Sequence, residues 1–119
     1  MEVYDYIKRL RQGIEQVENY GYTESVEIRE EIRPQKQVVI NAIIVFIDGS
    51  ILYIREYTET EYKLKRISYA YQYQNKDGEL IFRYDNAPHK PILGFKEHKH
   101  NKDGSITESD LPDIFDIID

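Results

Sequence analysis

His89, His98 and His100, the chain's 3 histidines, fall inside twelve residues of a 119-residue sequence. Imidazole is the side chain that titrates near neutrality, so rings this close offer a proton acceptor, a proton donor or metal ligands. Asp85 and Asn86 precede the cluster, and Lys90, Lys96 and Lys99 are interleaved with it. Three readings fit these residue types. In the first, acid–base catalysis on a phosphodiester, one histidine takes a proton and another returns it while Arg83, Lys90 or Lys99 faces the phosphate. In the second, His98 and His100 lie on one side of an extended segment and His89 or Asp85 completes a metal set, although the spacing fits no standard zinc pattern. In the third, the histidines cap turns of a basic, solvated loop.

Other chemistries are excluded by what the chain lacks. With 0 Cys there is no disulfide framework, no thiolate metal site and no cysteine nucleophile. There is no Gly-rich phosphate loop, no Gly-x-Ser-x-Gly elbow and no His-Glu-x-x-His pair. The 11 Tyr read mostly as core or cross-strand partners, with Tyr53 and Tyr57 as the exposed remainder that could stack on bases.

The elements that must position the cluster follow from hydrophobic period. Val3, Ile7, Leu10, Ile14 and Val17 recur at helical steps, with Tyr6 and Tyr20 beside them and Gly21 as C-cap, which predicts an amphipathic helix over 2–20. From Ser25 the period becomes two, and Val26, Ile28 and Ile32 alternate with Glu27, Arg29 and Glu31 as far as Pro34. Gln37 to Ile47 is almost continuously apolar, as in a strand covered on both faces. Asp48-Gly49 is a hairpin turn, and a two-residue turn there opposes Phe46 to Ile51 and Ile44 to Tyr53. Leu64–Gln74 and Leu80–Tyr84 form a second hairpin across Asn75-Lys76-Asp77-Gly78. A turn at Asp77-Gly78 sets Tyr73 against Phe82 and Tyr71 against Tyr84, with Gln72, Gln74, Arg83 and Asp85 on the other side.

Beyond Tyr84 the regular pattern stops, and 86–109 reads as a long, Pro- and Gly-punctuated loop that carries the histidines. A second Asn-Lys-Asp-Gly at 101–104 reads as a recurring turn. Asp110-Leu111-Pro112 then opens a short acidic helix over 110–118. The expectation is a single α+β domain over 1–119: a five-stranded antiparallel sheet over 25–85, with the N-terminal helix and the short C-terminal helix packed on it.

Tyr84-Asp85-Asn86-Ala87-Pro88-His89-Lys90-Pro91, then Phe95 and His98-Lys99-His100, resembles the TumE family of toxin–antitoxin toxins. Members show an aromatic-Asp-Asn-Ala-Pro-His-His block, a Phe, a His-Lys-His and a Pro-containing C-terminal helix. Asp48-Gly49-Ser50 followed by Arg55-Glu56 fits as well, so the resemblance spans roughly residues 40–118. The chain departs from the pattern at Lys90 and Glu97, where members often carry further histidines; this weakens a metal reading and leaves acid–base chemistry intact. The resemblance implies a toxin with a cognate antitoxin, expected to be a helix-turn-helix protein. By analogy with other small antiparallel-sheet toxins, the expected target is RNA, making the protein a ribonuclease. Asp85, His89, His98 and His100 are then the catalytic candidates and Arg83, Asn86, Lys90 and Lys99 the substrate-binding ones, with no cofactor unless His89, His98 and His100 hold a metal. The alternative class is a non-catalytic binding protein whose His/Lys loop docks a protein or nucleic-acid partner.

No apolar run approaches the roughly 20 residues of a membrane helix, and Glu2 and Asp5 interrupt any signal-peptide pattern at once. The expectation is therefore a cytoplasmic protein without a membrane partner, free to form a homo-oligomer. Charge is unevenly placed within the net −6: residues 1–33 hold 8 acids against 5 bases, residues 34–105 hold 9 against 11, and residues 106–119 hold 5 acids and no base. The last segment is placed to screen the basic stretch around the histidines. Replacing Asp113, Asp116 and Asp119 with Asn should then tighten RNA binding at low salt, with the gain vanishing as salt is raised. Unchanged low-salt affinity in a filter-binding titration would make that segment plain solvated surface.

Overall fold

The computed structural model describes residues 3–34, 37–59, 65–87, 97–112 and 117. One helix, α1 (Val3–Asn19), precedes seven strands: β1 (Thr23–Arg33), β2 (Gln37–Phe46), β3 (Ile51–Glu59), β4 (Lys65–Gln74), β5 (Leu80–Asp85), β6 (His98–Asn101) and β7 (Ile106–Glu108). They form one antiparallel sheet whose spatial order is the chain order, β1 to β7.

The helix forms because Tyr6, Ile7, Leu10, Ile14 and Val17 all fall on one stripe, and each is buried. It ends where Gly21 adopts a φ of 76° and its N–H reaches the Glu18 carbonyl. The stripe lies on one face of the sheet, against Val38, Ile40, Ala42, Ile44, Leu52, Ile54, Tyr69 and Tyr71. Leu111 and Ile117 pack on the same core. A polar tie fastens the two layers: Glu56, fully buried on β3, accepts from the hydroxyls of Tyr6 on α1, Tyr71 on β4 (2.6 Å) and Thr58 (3.1 Å). A carboxylate so far from water is tolerable only with donors of this kind around it.

Several expectations need correction. The sheet has seven strands, not five, because the stretch read as loop over 86–109 contains β6 and β7. Asn101-Lys102-Asp103-Gly104 folds as Asn75-Lys76-Asp77-Gly78 does. In each, the Asn N–H bonds the residue four on (2.8 and 2.9 Å) and the Gly N–H returns to the Asn carbonyl (3.0 Å). Flanking strands of four and three residues were too short for alternation to show. The C-terminal helix expected over 110–118 is not clearly present: residues 110–112 are not helical, residue 117 is, and 113–116 and 118–119 lie outside the described residues. β2 is covered on one face only, since Asn41 and Ile43 on its other side are exposed.

The first hairpin also differs by one residue. Val45 opposes Ile51 and Ile44 opposes Leu52, because Phe46 pairs with Ser50 around a three-residue loop ending in Gly49 at φ 87°. Loop length sets register, and the one-residue shift puts like-facing side chains together, Ile44 with Leu52 toward the core and Ile43 with Tyr53 away from it. Asp48 stabilises this loop by accepting from the Ser50 hydroxyl and N–H, which hold its carboxyl below the usual carboxylate range. In the second hairpin Tyr73 does oppose Phe82 and Tyr71 does oppose Tyr84. That register is reached through a three-residue loop whose offset is cancelled by a bulge between Tyr73 and Gln74.

The two loops meet at one end of the sheet: a Cβ on Gly49 would lie 2.9 Å from the Lys76 Cβ, whereas one on Gly104 would meet nothing within 4 Å. Both glycines have positive φ. Gly104→Ala should therefore cost about 1–2 kcal/mol of left-handed strain, and Gly49→Ala distinctly more, because Lys76 is struck near its backbone. Equal midpoint losses in urea unfolding would show that the two loops can separate freely.

Candidate functional site

Alternation builds the site. On β5, Arg83 and Asp85 point to the face away from α1, and Tyr84 points to the helix side. On β6, His98 sits directly across from Asp85, and His100 across from Arg83. All four side chains consequently share the open face, at the end of β5 where the chain leaves the sheet.

Asp85 is the centre of the group. It is 3% exposed, and both its oxygens are engaged. Oδ1 lies 2.8 Å from His98 Nε2 and accepts the Ala87 N–H at 3.1 Å. Oδ2 accepts Arg83 Nε at 2.7 Å and lies 3.4 Å from His100 Nε2. Arg83 is itself held on the other side, its Nη1 donating to Gln72 Oε1 at 2.8 Å. His98 is 2% exposed, whereas the His100 side chain is 25% and the Arg83 side chain 37% exposed. The two imidazoles meet edge to face, with centroids 4.9 Å apart at 70°.

The arrangement is that of an oriented imidazole pair. A buried carboxylate fixes the ring of His98 by accepting from its Nε2 side, as in acid–base sites where an acid orients a histidine. His100 and Arg83 are the members that reach solvent. Ligand atoms of Asp85, His98 and His100 also lie within 4.8 Å of one another, so this trio could take a metal ion. A metal bound there would compete with the hydrogen bonds that Asp85 already accepts and would sit beside the Arg83 guanidinium, so the donor set fits a cation poorly.

The structure brings together Asp85, His98, His100 and Arg83 of the residues singled out in the sequence. His89 and Lys90 lie outside the described residues. Asn86 is buried and accepts the Tyr69 N–H through Oδ1 at 3.1 Å, which makes it a tie between β4 and the end of β5. Lys99 is on the opposite face from the histidines that flank it, its Nζ 5.2 Å from the Tyr84 ring centroid and 5.7 Å from that of Phe82. Glu56 was missed as a functional or structural carboxylate. Its position in phase with Leu52 and Ile54 was the available sign that it points inward.

A family model described as Toxin TumE matches residues 10–119. No curated protein and no solved structure gives a match. No helix among the described residues is long and apolar enough to cross a membrane.

The unequal placement of Asp85 and Lys99 has a measurable consequence. Asp85→Ala strands a buried imidazole and a half-buried guanidinium and should cost about 3–5 kcal/mol. Lys99→Ala loses an accessible cation–π contact and should cost about 0.5–1 kcal/mol. Guanidinium unfolding of the two variants checks this, and comparable losses would mean that the Asp85 cluster contributes little to the fold.

Proposed function

Because the chain belongs to the TumE toxin family, we propose that it is the toxin of a toxin–antitoxin module and that it cleaves RNA by histidine acid–base chemistry centred on Asp85, His98 and His100. The observation that supports this reading is the Asp85 carboxylate, nearly out of water, with two imidazole nitrogens and a guanidinium turned toward it on the open side of the sheet.

In this reading His100, the more exposed ring, accepts the proton of a ribose 2′-hydroxyl. The 2′-oxygen then attacks the adjacent phosphorus, and the bond from phosphorus to the 5′-oxygen breaks. The leaving oxygen takes a proton from a second imidazole, giving a 2′,3′-cyclic phosphate and a 5′-hydroxyl. His89, a catalytic candidate from the sequence that lies outside the described residues, is the histidine proposed for that donor role. Arg83 lies against the phosphate, where its fork matches paired oxygens. Asp85 acts as a positioning residue: it orients His98, and the two together set the ring of His100. Lys99 has no part on this face. The cognate antitoxin, a helix-turn-helix protein on this reading, suppresses the activity by covering the site.

Incubation of the purified protein with total RNA, with and without EDTA, tests the reading. Cleavage should persist in EDTA, and His100→Ala should lower the rate by about 10²–10⁴-fold while leaving the fold intact. Cleavage lost in EDTA and restored by a divalent metal would replace acid–base chemistry with a metal site on the same residues. Equal growth inhibition by wild type and a His98→Ala, His100→Ala double variant at equal expression would leave only the non-catalytic binding reading.

A further inference from the structure

The open face of the sheet continues well past Arg83. Register aligns two rows of side chains across it. One runs Ile43, Tyr53, Gln72, Arg83, His100; the other runs Asn41, Arg55, Ala70, Asp85, His98. A hollow of about 550 Å³ lies over these rows, lined by Asn41, Ile43, Tyr53, Arg55, Gln72 and Arg83. Ala70, between Arg55 and Asp85, keeps its floor low. At the usual strand spacing, Tyr53 lies about 14–15 Å along its row from His100, so hollow and histidines form one continuous strip.

Two of its members are poorly explained as ordinary strand surface. Arg11, Arg29, Arg33 and Arg83 each lie against a carboxylate, but Arg55 makes no ion pair among the described residues. Tyr53, next to it, is 38% exposed with its ring over the hollow's side of the sheet. A cation without an acid, an exposed aromatic and the amides of Asn41 and Gln72 are the groups that hold a phosphate, a base face and a base edge respectively. An amphipathic protein helix would instead ask for a line of apolar anchors, and here Ile43 is surrounded by amides and guanidinium groups. The chain's acidic excess does not oppose an anion here, because it resides in residues 1–33 and 106–119.

We propose that this face is the binding track for single-stranded RNA: a base stacks on Tyr53, a phosphate rests on Arg55, and the strand runs along the row to present its scissile phosphodiester to Arg83 and His100. The inference rests on the RNA reading of the site and names its substrate class. Only an unpaired base can offer its face to Tyr53, so a duplex is not a substrate.

The test is fluorescence anisotropy with a labelled single-stranded RNA of about ten nucleotides and the duplex of the same sequence, alongside cleavage kinetics on the single strand. Tyr53→Ala and Arg55→Gln should each raise Kd and KM for the single strand about tenfold, with kcat at saturating RNA within about threefold of wild type. Tyr53→Phe should keep wild-type affinity, and Arg55→Gln should flatten the salt dependence by about one counterion. Both residues are exposed, so thermal midpoints should not move. Unchanged Kd in both variants, or duplex bound as tightly as single strand, overturns the track. The same holds if the two substitutions weaken binding of the antitoxin and leave RNA affinity alone. Wild-type protein that binds the single strand through Tyr53 and Arg55 without cutting it upholds the track and removes the acid–base reading. Cleavage that is indifferent to both residues does the reverse.

Discussion

A carboxylate almost sealed from water is the constraint around which one end of this molecule is arranged. Asp85 could not be kept there by packing alone, because a buried charge demands partners for each of its lone pairs. β5 supplies Arg83 two residues back, the turn out of the strand supplies the Ala87 N–H, and β6 supplies His98 and His100. The two imidazoles would not reach Asp85 without the pairing of β5 with β6, and that pairing is itself short. The ion cluster and the last part of the sheet therefore hold each other in place, and Asn86, buried against the Tyr69 N–H, pins the point where β5 ends.

The sheet treats its two faces differently. The helix side is an apolar layer with a second buried carboxylate, Glu56, surrounded by hydroxyl donors. The other side has a guanidinium, amides, a tyrosine and imidazoles. The same period-two rule that sends Ile54 and Glu56 inward sends Tyr53 and Arg55 outward, so the scaffold and the chemical surface are written into alternate residues of the same strands. Among the described residues, α1 packs on one face only, and Asn41, Ile43, Tyr53 and Arg55 on the other are exposed.

The sequence was most informative where period and turn chemistry agreed. The stripe from Tyr6 to Val17 and the pairing of Tyr71 with Tyr84 could be read directly, and His98 and His100 were placed on one side by alternation alone. The same alternation applies to Lys99, which for that reason cannot accompany them. The β6–β7 hairpin escaped because its strands are shorter than the window in which alternation becomes visible, although its turn repeated a sequence already read as a hairpin loop. The register of the β2–β3 hairpin turned on whether Asp48-Gly49 closes a two-residue loop or Ile47 joins them in a three-residue one. The inward direction of Glu56 was legible from its phase with Leu52 and Ile54, but two of the hydroxyls that satisfy it lie 50 residues before it and 15 after it.

Strand order that follows chain order has a kinetic meaning. Each strand pairs with the one made just before it, and three of the six junctions are closed by loops of the same short type, at Gly49, Gly78 and Gly104. Closing such loops costs little chain entropy, and no parallel crossover must wait for distant segments to find one another. The sheet can zip from hairpin to hairpin. The principal long-range event is the docking of α1, whose polar latch from Tyr6 to Glu56 spans 50 residues. Assembly of the face that carries Asp85, His98 and His100 thus needs only neighbours along the chain, whereas closure of the core needs the helix to return from the far end.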